Sequence, residues 1–312
     1  MTATTPTDPS SEIEVSDVTI PADLSSALIA DLVNRGLLEK AKLGPPAGVR
    51  EIHGGAPQNE AEEHYCWRFT TSTSRVVRIV SDEKTTFSDI ALRLLTVFSK
   101  GNVAILDIPS GTGAGTLGLL AEIANLRAKR LAPTLPLNVS IFAGDISQWS
   151  LTVFRDLATA LAPKLQEASI NINISTKHWD ATLAHETSAL CNDWMDRSLY
   201  ENDYFVLVSN FSGTSKSLLD SFKRSFEHLA ERMAFAPATL LWIEPLSGTA
   251  ATIRRKIKQF FSHVPILKLL FSEDSLDNQS CHYTWDCPIT SRSKIKSSVS
   301  IVQFVISEQK NA

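Results

Sequence analysis

The 312-residue sequence predicts an α/β fold: a parallel sheet with helices on both faces, finished by an antiparallel hairpin and preceded by an N-terminal helical cap. Three observations predict it. From about residue 102 onward, short apolar runs alternate with helical patterns, as parallel strands joined by crossover helices require. The first of these runs passes into a turn with glycines at alternate positions, Gly111, Gly113 and Gly115, and then directly into a helix. The last two apolar runs, 280–287 and 298–306, are joined by ten residues, so they pair antiparallel.

The elements follow in order. Residues 1–17 are polar and acidic with few apolar anchors, so a disordered tail is expected. Pro21 opens a helix marked by Leu24, Leu28, Ile29 and Leu32, with Gly36 near its end. Residues 42–62 hold Pro45, Pro46, Gly54, Gly55 and Pro57 and read as an irregular connection, and a short helix starts within 60–65. Residues 81–100 carry Phe87, Ile90, Leu94 and Phe98 on one helical face. Residues 18–100 thus form the helical cap, and 101–312 the sheet domain.

Within that domain, Val103 to Leu106 is a buried strand ending on Asp107. Leu117, Leu120, Ala121 and Ala124 then give a helical face. Further strands are expected at 138–143, 169–175, 204–209 and 239–243, with helices at 149–165, 183–199, 215–233 and 250–261. There are no internal repeats.

Composition narrows the class. A hydrophobic content of 43% permits a full core, and the formal net charge is −4. The last third is mildly basic, without the dense Lys/Arg cluster of a dedicated nucleic-acid binder. Four cysteines, Cys66, Cys191, Cys281 and Cys287, are too few for a disulfide scaffold. No apolar signal segment or membrane span is visible, so a soluble cytoplasmic protein is expected, with no membrane partner.

The stretch 102–126 carries the most chemistry. Glycine serves where a backbone turns sharply or must approach a ligand closely. The free N–H groups at the following helix start suit a polar or anionic ligand. An acid, Asp107, at a strand end, followed by Gly111, Gly113 and Gly115, resembles motif I of the class I S-adenosylmethionine (SAM)-dependent methyltransferases. The resemblance implies a Rossmann-like class I methyltransferase sheet, SAM as cofactor, and methyl transfer to an acceptor still to be identified, whether RNA, small molecule or protein. Pro109 stands where that family usually has a small residue.

The resemblance also implies site residues. Asp107, Gly111, Gly113 and Gly115 would bind SAM, and a valine at Gly113 is expected to remove binding with the fold intact. Asp145, at the second strand end, would hold the ribose, although it or Ser147 equally suits a helix cap. Ile146 would lie against the adenine, and Asp180 near its amino group, with Trp179 stacking or simply packing in the core. Asn210 and Phe211 partly match the family's strand-four motif: Asn210 would orient the acceptor and Phe211 would wall the transfer site. An asparagine after a strand also suits a left-handed turn. Glu244 lies at the next strand end; the acceptor is expected to bind between the helical cap and the Asn210 turn, with His282 and Tyr283 forming one wall. Arg254, Arg255, Lys256 and Lys258 would flank it if their helix starts nearby, which would favour an RNA acceptor.

Other readings stand beside this one. Gly113, Gly115 and Gly118 also spell the G-x-G-x-x-G of nicotinamide-dinucleotide domains. A P-loop is excluded, because Thr116 and Leu117 follow the last glycine and neither is Lys. A catalytically silent methyltransferase fold that binds RNA or a protein is the remaining alternative. His64, Cys66, Cys281, His282 and Cys287 match no common zinc spacing, so no metal site is expected. Pro21 to Leu24, Trp242 to Pro245 and Ser247 to Thr249 are similar to the mitochondrial and bacterial small-ribosomal-subunit methyltransferase-like family. The four-cysteine cluster of that family is not carried over, because the cysteines here are placed differently.

Overall fold

The computed structural model describes residues 17–46, 55–197, 203–211, 222–233, 238–246, 278–290 and 292–305. Their strands are β1 (Asp17–Thr19), β2 (Gly101–Asp107), β3 (Leu137–Asp145), β4 (Ile170–His178), β5 (Asp203–Ser209), β6 (Ala238–Glu244), β7 (Asn278–Asp286) and β8 (Ile295–Val305). Their helices are α1 (Ala22–Asn34), α2 (Leu38–Leu43), α3 (Gln58–Val80), α4 (Ser88–Val97), α5 (Ala114–Ala128), α6 (Gln148–Glu167), α7 (Ala184–Arg197) and α8 (Lys223–Met233).

The strands form one eight-stranded sheet in the order β1-β7-β8-β6-β5-β2-β3-β4. Pairings from β4 through to β6 are parallel, and β8 runs antiparallel to both β6 and β7. The last strand therefore inserts between β6 and β7, so β8 is the hairpin strand that touches the parallel sheet. This mixed α/β sheet agrees with the class I methyltransferase fold expected from the glycine turn. The expected helix at 250–261 and the basic residues 254–258 lie outside the described residues.

Strand side chains alternate between two cores, as the period of two demands. Val103 and Ile105 of β2 pack with α1, α3, α4, α5 and α6 on one face. Ala104 and Leu106 pack with α7, α8, Trp194 and Trp242 on the other. The N-terminal helices belong to the first of these layers: α3 lies against α5, and α1 against α6.

Three local departures from the sequence expectation have physical causes. Asp17, counted with the tail, is the first residue of β1, which pairs with Thr284 to Asp286 of β7; a three-residue edge strand leaves no periodic signal.

Helix α3 runs 23 residues rather than starting briefly near 60. Its middle, Thr70 to Arg75, is polar yet mostly buried, so no apolar stripe announces it. Its hydroxyls are satisfied locally: Ser74 Oγ donates to Thr71 O and also meets the Tyr283 hydroxyl, and Thr73 Oγ1 donates to Ala114 O. Small side chains there let α5 approach closely, and a Cβ on Gly118 would lie 3.1 Å from the Thr73 methyl.

The helix expected over 81–100 begins only at Ser88. Asp82 organises the preceding turn. Its carboxylate accepts from the backbone N–H of Thr85 and Phe87, each at 2.8 Å, and pairs with Arg78 at 3.0 Å.

The connection after α5 is fastened by Arg127. Its buried guanidinium donates to the carbonyls of Leu135 and Ala168 at 2.8 Å, and to Ser99 at 2.8 Å and Phe98 at 3.1 Å. One side chain thus joins the start of β3, the start of β4 and the segment before β2. This brings the three strand starts into register and presents their carboxyl ends together at the opposite edge. Among the described residues, no helix is long and apolar enough to cross a membrane.

Candidate functional site

In an open parallel sheet, ligands bind beyond the carboxyl ends of the strands, where neighbouring loops diverge. Here the loops after β2, β3, β4 and β5 surround a cavity of about 300 Å³.

The glycine turn after β2 supplies its floor. Ser110, Gly111 and Thr112 line the cavity. Gly111 has φ +51°, and a Cβ built there would meet no protein atom within 4 Å. The Ser110 hydroxyl is buried and has no hydrogen-bond partner among the described residues.

The other two glycines do different work. Gly113, at φ +84°, starts α5, and a Cβ there would come within 2.3 Å of the Phe154 ring. Phe154 is fully buried, so that ring has no free space to enter. A Cβ on Gly115 would lie 2.9 Å from Ser209 Oγ and 3.0 Å from Leu207. Neither Gly113 nor Gly115 lines the cavity. The expectation that a valine at Gly113 would spare the fold is therefore corrected: the limit there is core packing.

Asp107 also lies beneath the turn rather than in the cavity wall. It is fully buried; its Oδ2 accepts from Thr116 Oγ1 at 2.7 Å, and its Oδ1 has no partner among the described residues. Burial pushes its carboxyl up to about 7; the Thr116 hydroxyl opposes the shift and the Asp145 charge adds to it.

Asp145 does line the cavity. Its Oδ2 accepts from Gly111 N–H and its Oδ1 from Ser147 N–H, both at 2.8 Å. Its backbone carbonyl accepts from Trp179 N–H at 2.9 Å. One residue therefore joins the loops after β2, β3 and β4. Burial pushes its carboxyl above the usual carboxylate range, while the N–H bonds from Ser147 and Gly111 pull it back. The cap of α6 is Ser147, whose side chain accepts from Ser150 N–H.

Ile146, 39% exposed, presents an apolar surface to the cavity beside Asp145. Asp180 lines the next part of the wall, where its Oδ1 accepts from Thr182 N–H and Oγ1. Trp179 touches the cavity but belongs to the core, with its indole N–H donated to Thr187 Oγ1 at 2.8 Å.

Asn210 and Phe211 form the wall after β5. Asn210 takes the left-handed turn, at φ +58°, and its side-chain oxygen accepts from Arg75 Nη1. Phe211 donates its backbone N–H to Glu244 Oε1 at 2.8 Å, an oxygen that also accepts from the Trp242 indole. Glu244 is fully buried, so this strand-end acid shapes the Asn210–Phe211 turn from behind.

The opposite wall comes from α3, through Ala61, His64 and Phe69. Burial, with Arg68 and Arg75 nearby, pushes the His64 imidazole down to about 4, so it is neutral at ordinary pH. Arg75 is buried, with Nε donated to Ser298 O at 3.1 Å. The sequence placed the acceptor between the helical cap and the Asn210 turn, but it did not single out α3 within the cap or Arg75 as the support for Asn210, because the helix carries no apolar periodicity. His64 was noticed only beside Cys66. The expected His282–Tyr283 wall is corrected as well: neither lines the cavity, His282 is exposed, and the buried Tyr283 hydroxyl meets Ser74. Among the described residues, no group of three or more His, Cys, Asp or Glu is arranged to hold a metal ion.

No family model matches the chain. No curated protein matches it. Among solved structures, a candidate class I SAM-dependent methyltransferase from Listeria monocytogenes is similar over 92% of this chain and 70% of that one, with a TM-score of 0.33 and 11% identity. The fold assignment rests on the sheet order, and the site on its own geometry.

The two glycines separate cavity from core. Gly113→Val should lower the melting temperature sharply or prevent folding, since a branched side chain enters the Phe154 ring and the φ is left-handed. Gly111→Ala, with open space around the new methyl, should fold with a small loss set by its positive φ. Thermal unfolding of both variants checks the contrast.

Asp107 gives a pH signature. Its folded pKa of about 7 exceeds the ordinary 3.8, so the folded state keeps a proton that the unfolded chain has released between those values. Its stability contribution is present below pH 3.8 and is lost as pH rises through 7. Asp107→Asn should therefore gain stability relative to the unmodified chain at pH 8 compared with pH 5, as read by denaturant unfolding at both. Comparison at matched pH cancels the opposite contribution of His64 and the parallel one of Glu122.

Proposed function

We propose that the cavity binds SAM and that the chain is a SAM-dependent methyltransferase. The observation that carries this reading is the convergence of the Gly111 turn, Asp145–Ile146, Asp180 and Asn210–Phe211 on one cavity at the carboxyl ends of adjacent parallel strands.

The residues fit the group. Gly111 leaves open the space that a Cβ would fill. The unpartnered Ser110 hydroxyl offers a hydrogen bond to the amino-acid end of such a ligand. Each Asp145 oxygen accepts one N–H and keeps capacity for a ribose hydroxyl. Ile146 supplies an apolar surface for a purine, and Asp180 an acceptor for its amino group.

When bound, SAM supplies an electrophilic methyl group on a sulfonium, so the protein needs mainly to orient the acceptor and exclude water. Phe69, Phe211 and Phe222 add an apolar lining to the cavity that would do the second. Arg75 fixes the Asn210 side chain, which would leave the amide N–H2 group directed by that bond to contact the acceptor. Neutral His64 is able to accept a hydrogen bond or a proton from it.

A second reading is favoured by one observation. The Asn210 oxygen, the atom expected to accept from a substrate amine, is already engaged by Arg75. A SAM-binding but catalytically silent protein would retain such an arrangement.

Calorimetry with S-adenosylhomocysteine and, separately, NAD tests the cofactor. The expected outcome is binding of S-adenosylhomocysteine and none of NAD. Asp145→Ala, checked for folding by thermal unfolding, should weaken binding at least about tenfold, roughly the effect of losing one charge-assisted hydrogen bond. Absence of heat with S-adenosylhomocysteine would refute the assignment, and binding of NAD instead would make the site a dinucleotide site.

A further inference from the structure

We propose that the atom methylated in this cavity is a hydroxyl oxygen carried on a small aromatic body, not an amine nitrogen, and that the side-chain N–H2 group of Asn210 holds it. This rests on the reading of the cavity as a SAM site.

The first observation is how Asn210 is held. It lines the cavity just past the carboxyl end of β5. Its backbone N–H donates to Ile243 O at 2.8 Å, and its φ is +58°. Its side-chain oxygen accepts from Arg75 Nη1. Arg75 is fixed in turn: it is buried, and its Nε donates to Ser298 O at 3.1 Å. An arginine carries donors only, so the end of the amide that meets it is the oxygen and not the nitrogen. The group that Asn210 has left to offer a ligand is therefore N–H2. The guanidinium also draws electron density from the amide oxygen. That weakens the oxygen as an acceptor for a second donor and strengthens N–H2 as a donor.

The second point is a count of lone pairs. An amine nitrogen has one, and attack on the methyl group uses it, so an attacking amine has nothing with which to accept from N–H2. A hydroxyl oxygen has two: one attacks while the other accepts. A fixed donor beside the reacting atom therefore selects oxygen, because it would be left unpaired against nitrogen.

The third observation concerns the rest of the acceptor. Phe211 follows Asn210 directly, and its ring meets that of Phe222 with centroids 4.8 Å apart; both residues line the cavity. A flat apolar body is thus accommodated next to the Asn210 turn. The hydroxyl proton has a destination as well. His64 lines the cavity from α3, and burial, with the charges of Arg68 and Arg75, pushes its imidazole down to about 4. The guanidinium that holds Asn210 thus acts on His64 too, so both groups lie around one cation. In the step, one oxygen lone pair forms the C–O bond and displaces sulfur, which keeps the pair of the broken C–S bond. The hydroxyl proton passes to His64 and from there to water. A weak base suffices, because an oxygen that bears both the methyl group and the proton is a far stronger acid than an imidazolium.

The test uses the full chain saturated with S-adenosylhomocysteine and titrates phenol and aniline by calorimetry. Phenol should bind tenfold or more tighter than aniline. Asn210→Asp keeps an oxygen for Arg75 and suits the left-handed turn, but it replaces the N–H2 donor by an acceptor. It should abolish or reverse the phenol preference, a change that a merely structural role for Asn210 would not produce. Thermal unfolding checks that this variant folds; if it does not, the two titrations of the unmodified chain still decide. With SAM, para-aminophenol offers both nucleophiles in one molecule, and mass spectrometry should find the methyl group on oxygen. The proposal is overturned if neither probe binds, if aniline matches phenol, or if the preference survives in folded Asn210→Asp. It is also overturned if para-aminophenol is methylated on nitrogen or not at all. Failure of S-adenosylhomocysteine to bind would be seen first and would count against the SAM reading alone; the phenol and aniline titrations, repeated without it, would still report on Asn210.

Discussion

The site depends on one carboxylate. Asp145 accepts from Gly111 N–H and Ser147 N–H, so the turn after β2 and the start of α6 are held to the same two oxygens. Its backbone carbonyl adds the loop after β4 through Trp179. Hydrogen bonds to a charged group contribute on the order of 1.5–3 kcal/mol each, enough to fix a glycine turn that has little preference of its own. The surroundings keep this carboxylate from water, which makes the bonds stronger and the arrangement more exacting. Loop order rests on this group, and under the proposed function so would recognition of the ribose.

The facing wall follows a different logic. Helix α3 buries serines, threonines and two arginines where a helix of its length would ordinarily bury leucines. Its hydroxyls bond to helix carbonyls and to Tyr283, and its small side chains admit α5 at close range. Arg75 then joins α3 to β8 through Ser298 and to the β5 turn through Asn210. Glu244 supports the same turn from β6. The inserted strand β8, which reverses the sheet direction, is what brings Ser298 within reach of α3.

Legibility in the sequence tracked the range of the forces involved. The alternation of strands and helices was readable because burial on both sheet faces makes β2, β5 and β6 short continuous apolar runs between helical patterns. Asp145, Ile146 and Asn210 were readable as strand-end residues, and the structure brings them to one cavity. What was not readable depends on distant contacts. Gly113 differs from Gly111 only because Phe154, forty-one residues later, lies against it. Asp107 looked like a ligand by position, yet Thr116 and the covering turn enclose it. That the helical cap would face the Asn210 turn was readable, but not that α3 is the helix that does so, because polar residues buried by hydrogen bonding leave no hydrophobic pattern.

The central claim is that the loops gathered by Asp145 form a SAM site. A crystal structure of the chain with S-adenosylhomocysteine tests it most directly. The account predicts the ligand along the cavity, its amino-acid end at Ser110–Gly111, its ribose hydroxyls within hydrogen-bond distance of Asp145 and its adenine against Ile146. A ligand bound elsewhere, or bound in the cavity with its ribose away from Asp145, would contradict it.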